Sequence, residues 1–176
     1  MGRRGRRCTV LAAGIGVAVS AGSGPTRSVA YVTGSSTSDP QVWLAPMDGG
    51  SGRRLGPGSQ PLLAPDGTLV AASGSTGLVV YSATGGRTHR YFESRIATAT
   101  AAAFSADSRY LAVVLGSINP ASSATSGLAV IDTVTFTSRV VARGQIYGAS
   151  FARDRSDRIA FASARSAALA ARSTSA

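Results

Sequence analysis

The chain has 176 residues, enough for one ordinary domain with a buried core. It carries 18 Arg and no Lys against seven Asp and one Glu, a formal net charge of +10, although only 15% of its residues are charged. So little Glu and Lys excludes a coiled coil and argues against long helices. The single Cys excludes an intrachain disulfide and a thiolate zinc cluster, and the single His excludes any site built on two imidazoles.

Met1–Arg7 contains four Arg, and Cys8–Ala21 follows as fourteen residues without a charge, ending in the small residues Val19-Ser20-Ala21. That order of basic start, apolar run and small-residue cleavage point is the plan of a secretory signal peptide over residues 1–21. The apolar run is too short for a comfortable membrane span, so no stable span is expected after cleavage. Residues 22–27 read as a short linker. Without 1–21 the chain holds 14 Arg against 8 acids and no Cys. Part of the positive charge is thus an address label, and export removes the protein from nucleic acid, which is not expected as a partner.

The body repeats, and repeats decide the fold. Ser28-Val-Ala-Tyr-Val-Thr-Gly, Thr68-Leu-Val-Ala-Ala-Ser-Gly, Arg109-Tyr-Leu-Ala-Val-Val-Leu-Gly and Arg158-Ile-Ala-Phe-Ala-Ser align as strands. The last three follow polar turns that contain Asp66, Asp107 and Asp154; 41 residues separate the first two Asp and 47 the next two. A second strand set lies at Gln41–Gly49, Gly77–Gly85 and Gly127–Thr135. A third, weaker set begins at Gly52, Arg87 and Thr137. A fourth precedes the Asp turns at Gln60, Ala101 and Ile146. Four short strands in 40 to 47 residues is the arithmetic of a propeller blade. Asn119–Ser126 and Ser35–Pro40 read as polar loops inserted between strands.

Phe/Leu-Ser/Ala-Pro/Ala-Asp-Gly/Ser, then an alternating Leu-Ala-Val strand, then Gly-Leu-x-Val-Tyr/Ile, resembles the WD40-like, Asp-rich (PD40-like) blade of the TolB family. Leu63–Ser73 and Gly77–Gly85, Phe104–Val114 and Gly127–Val134, and Phe151–Ser163 carry the pattern. Ala106 and Ser108 replace the usual Pro and Gly in one turn, and Arg153 and Arg155 do so in the last. The resemblance implies an all-β fold: an incomplete β-propeller of about three to four four-stranded antiparallel blades over residues 28–163, followed by a low-complexity tail at 164–176. The resemblance implies a complete ring of about six or seven blades, and any closed ring needs at least about four. The expectation is therefore a piece of a longer gene product, or a chain whose open blade faces support self-association.

Chemistry is sparse. His89 stands between Thr88 and Arg90 and reads as a solvated strand residue. Glu93 has no carboxylate positioned beside it for general acid–base work. Asp66, Asp107 and Asp154 read as turn formers, and Asp132 and Ser82 as strand-end residues. The turns supply no clustered oxygen ligands for calcium, and Gly-x-Ser-x-Gly is absent, Ala71–Ser75 being a strand end. No catalytic, cofactor-binding or metal-binding residue is therefore assigned, and no cofactor. Arg53, Arg54, Arg87, Arg90 and Arg95 form a loose positive set near the third strands of two blades. Trp43, Tyr81 and Ile131 are aligned as equivalent core positions.

These features lead to an exported, non-enzymatic propeller module, secreted or in the cell envelope, that binds protein or an anionic envelope component as a scaffold. The alternative is a portion of the propeller domain of an exported hydrolase or peptidase whose catalytic domain lies elsewhere.

Overall fold

Runs of Val, Leu, Ala and aromatic residues with period-two alternation, punctuated by Gly and Asp, form strands throughout. A computed structural model describes residues 20–21, 27–34, 39–95, 97–117, 126–153 and 157–164. The first sheet contains β1 (Ser20–Ala21), β2 (Ser28–Thr33), β3 (Gln41–Pro46) and β4 (Arg53–Pro57). The second contains β5 (Ser59–Leu63), β6 (Leu69–Ser73), β7 (Leu78–Ser82) and β8 (Thr88–Tyr91). β9 (Ala97–Phe104), β10 (Tyr110–Ser117), β11 (Gly127–Asp132) and β12 (Thr137–Arg143) make the third, and β13 (Ile146–Phe151) and β14 (Ile159–Ser163) the fourth. Each sheet is an antiparallel meander in which neighbours in sequence are neighbours in space. The expected blades are thus present: three four-stranded sheets and a two-stranded one. Asp154, most of the Asn119–Ser126 insertion, residues 1–19 and the tail from 165 onward lie outside the described residues. Ser20–Ala21, inside the expected leader, pairs with Ala30 and Val29 of β2.

The sheets stack face to face in chain order. β5 packs against β2 and β3, β9 against β5, β6 and β7, and β13 against β9, β10 and β11. Strand alternation sends successive side chains to opposite neighbours. From the second sheet, Val70, Ala72, Val79 and Tyr81 meet Ala30 and Val42 of the first. Its Ala71, Leu78 and Val80 meet Ala99, Leu111, Val113, Ala129 and Ile131 of the third. A smaller cluster joins Ala112 and Leu128 to Ile146 of the fourth. A blade is thus apolar on both faces and depends on its neighbours for burial.

The strand pairing corrects one alignment. Leu69 faces Ser82, Tyr110 faces Asp132, and Ser28 faces Pro46. Counting back along each third strand, Trp43 corresponds to Val79 and Ala129, and Ala45 to Tyr81 and Ile131. A shift of two residues keeps the face, which is why the aromatic match misled. Tyr81 and Ile131 are buried between sheets. Trp43 lies on the face of the first sheet turned away from the second, where its ring stacks with Tyr31 at 6.4 Å. Its buried Nε1 has no hydrogen-bond partner among the described residues.

Candidate functional site

The Asp turns are built by local hydrogen bonding. Asp66 Oδ1 accepts from Thr68 N (3.0 Å) and Thr68 Oγ1 (2.9 Å). Asp107 Oδ1 accepts from Arg109 N (3.1 Å) and Ser105 Oγ (2.6 Å), and Ser105 Oγ accepts from Tyr110 N (2.8 Å). Gly67 has φ +76°, the conformation its missing Cβ allows, and Ser108 in the matching place has φ +62°. Ser108 is more than a weak glycine substitute. It is buried, and its Oγ accepts a 3.0 Å hydrogen bond from Asp66 N in the preceding sheet.

Asp132 and Ser82 end their strands in the same manner. Asp132 Oδ1 accepts from Val134 N (2.9 Å) and Thr135 N (3.1 Å), and Ser82 Oγ accepts from Thr84 N (3.3 Å). The Thr135 and Val134 amides, helped by the Arg109 guanidinium, hold the Asp132 carboxyl below the usual carboxylate range. Arg109 Nη2 lies 3.5 Å from its Oδ2. All these carboxylates are committed to backbone amides of their own turns.

His89 differs from its sequence reading. It is half-buried, and its ring stacks on Phe136 of the next sheet at 3.7 Å with an interplanar angle of 4°. The neighbouring Tyr91 hydroxyl donates to the Phe136 carbonyl at 3.3 Å. The imidazole is therefore a packing element between sheets. Glu93 pairs with Arg90 at 3.8 Å in an exposed i, i+3 contact. Among the described residues no three carboxylate, imidazole or thiol groups stand close enough to hold a metal ion.

The arginines divide between two ends of the strands. Arg53 and Arg54 open β4 and Arg87 precedes β8, whereas Arg95 lies beyond the far end of β8. Arg53 donates to the Ala83 carbonyl in the β7–β8 turn, and Arg54 Nε donates to Gln41 Oε1 at 3.0 Å. Between the first two sheets the Tyr81 hydroxyl donates to the Pro57 carbonyl at 2.6 Å. Burial raises the Tyr81 phenol above its ordinary value, against the opposing influence of Arg90 and Arg54. Beside this contact runs a shallow cleft of about 330 Å³, whose polar wall includes Asp39, Ser59, Ser73, Ser75 and Arg90. Asp39 and Arg90 are its charged groups. The sequence pointed to Arg90 but not to the cleft, which arises only where the β2–β3 and β6–β7 loops meet the β4–β5 connection.

Stacked four-stranded meanders on these repeats define a row of β-propeller blades. In agreement, the structure is similar to the crystal structure of TolB from Acinetobacter baumannii, with a TM-score of 0.53 and 17% sequence identity. The match covers 77% of this chain and 35% of that one, so the chain corresponds to about a third of the TolB structure. No protein-family model matches the sequence, and no curated protein matches it.

Proposed function

We propose that the protein is an exported, non-enzymatic propeller module that binds a protein or an anionic component of the cell envelope. The observation that carries this reading is the fate of the polar side chains. Every described Asp-turn carboxylate is spent on its own turn, the imidazole is stacked between sheets, and the cleft between the first two sheets is open, with the exposed Arg90 and Asp39 as its charged groups. Such a surface suits recognition of an extended or anionic partner better than turnover of a small substrate. The Arg-rich start and uncharged run of residues 1–21 support an extracytoplasmic location, where such partners lie. No helix among the described residues is long and apolar enough to cross a membrane.

Binding to isolated envelope fractions, measured by co-sedimentation at low and high salt, tests the proposal. Retention that falls with salt and is weakened by Arg90→Glu supports it. Indifference of all fractions to the protein, or an export assay that leaves it entirely in the cytosol, refutes it.

A further inference from the structure

The fourth sheet differs from the others at its edge. In the second and third sheets the second strand, β6 or β10, is paired on both sides. Its counterpart β14 has only β13 as a partner among the described residues. Its sequence, Ile159-Ala-Phe-Ala-Ser163, has no charge, proline or glycine, and four of its five residues are exposed. Phe161 is 45% exposed. On the corresponding edge of the other sheets, the one farthest from the first strand, the strands carry charge: Arg53 and Arg54 on β4, Arg90 on β8, and Arg139 and Arg143 on β12; the first strands β5 and β9, at the opposite edge, carry none. Charged side chains on an edge discourage pairing with another chain. β14 therefore has the composition of an interior strand in an edge position.

The hydrogen-bond pattern fixes what that edge offers. Ala152 N donates to Arg158 O at 2.9 Å, and Ala164 N donates to Gln145 O at 3.1 Å, so these β14-flanking positions point toward β13. Alternation then turns the N–H and C=O groups of Ile159, Phe161 and Ser163 outward. That set of three is centred on Phe161 and is self-complementary.

We propose that β14 pairs antiparallel with β14 of a second copy of this chain, about a two-fold axis through Phe161. Ile159 then lies opposite the partner's Ser163, and Phe161 opposite the partner's Phe161. About six main-chain hydrogen bonds form, since each hydrogen-bonded pair exchanges two. The two Phe161 rings share one face and make an aromatic cross-strand pair. A second copy is the occupant that fits because a two-fold edge is satisfied by its own pattern. Two half-sheets of two strands then complete a four-stranded sheet, the size of the second and third. This interface is separate from the cleft and does not rest on the proposed binding role.

The full chain tests it by sedimentation equilibrium across the micromolar range. A dimer is expected whose dissociation constant rises about tenfold or more in Phe161→Lys. Tyr147→Lys, at a 68% exposed position on β13, is expected to leave the dimer unchanged. In a Cys8→Ser background, Phe161→Cys is expected to form a disulfide-linked dimer on mild oxidation, because hydrogen-bonded pairs place Cα atoms about 5.5 Å apart. This second readout stands even if the lysine variant fails to fold. A chain that stays monomeric, a dimer indifferent to Phe161→Lys, or one that forms only when residues 165–176 are deleted overturns the proposal. The last result would mean that the chain's own tail covers the edge.

Discussion

Leu111→Ala tests the stacking of the sheets most directly. Leu111 is 0% exposed and belongs to the cluster that joins the second sheet to the third. It pairs in register with Phe104 on one side and Ile131 on the other. Truncation removes three carbon groups at about 0.8 kcal/mol each, or roughly 2.4 kcal/mol of transfer free energy. Ala71, Ala99 and Ala129 in the same cluster are too short to move into the space. A cavity cost therefore adds to the transfer cost, for a total of about 3–4 kcal/mol. At roughly 2–4 °C per kcal/mol for a chain of this size, the melting temperature falls by about 6–16 °C. Thermal denaturation followed by far-ultraviolet circular dichroism reads the shift. Val134→Ala, at a 71% exposed position, serves as the control and stays within about 0.5 kcal/mol of the parent. A Leu111→Ala chain less than about 1 kcal/mol below the parent refutes the reasoning, since Leu111 would then not be held between two sheets.

Ser108→Ala, measured by chemical denaturation, should cost about 1–2 kcal/mol by leaving Asp66 N without its inter-sheet acceptor. Ser108→Gly should cost less, because relief of the positive φ offsets part of the lost bond. Asp132→Asn should destabilise more at about pH 7 than at about pH 3. The Asp132 pKa is lowered by folding, so its stabilisation is complete above the ordinary aspartate value and is lost as pH falls through the lowered one. Mass measurement of the exported protein should place the mature N-terminus near Gly22, and recovery of intact Met1 protein only in the cytosol would contradict the leader assignment.

The repeat was legible because it is written in local chemistry. An Asp-Gly turn and an alternating Leu-Val-Ala strand announce themselves within about ten residues. Recurrence alone gives four strands per repeat but not the sheet boundaries: the set that precedes each Asp turn, fourth in the sequence repeat, is the first strand (β5, β9 and β13) of the following sheet. Aromatic identity places Trp43 two residues out of register with Tyr81, because a period-two strand fixes a position only to within two residues unless its partner is known. His89 was read as solvated because Phe136, which covers it, is 47 residues later in the chain. Ser108 was read as a worn glycine because its partner amide at Asp66 belongs to the previous repeat. For His89 and Ser108 the missing information is a contact between repeats, which a repeat unit read by itself does not contain.

Those contacts share a direction that explains how the row is held together. The outer strand of each of the first two sheets reaches the turn joining the last two strands of the next: Arg53 of β4 to Ala83, then His89 and Tyr91 of β8 to Phe136. Different side chains perform the same link, an arginine to a carbonyl in one case and an aromatic stack with a phenol hydrogen bond in the other. Near the Asp turns the side chain comes from the later sheet instead: Ser108 Oγ reaches back to accept from Asp66 N of the preceding sheet. Between these two anchors lies the apolar cluster shared by the neighbours. A polar anchor on each side of a dry layer resists both sliding and splaying, which apolar burial alone, being non-directional, does not. The repeat therefore conserves the geometry of the junction while its residues vary, and blade-to-blade register rests on side chains outside the recognisable motif.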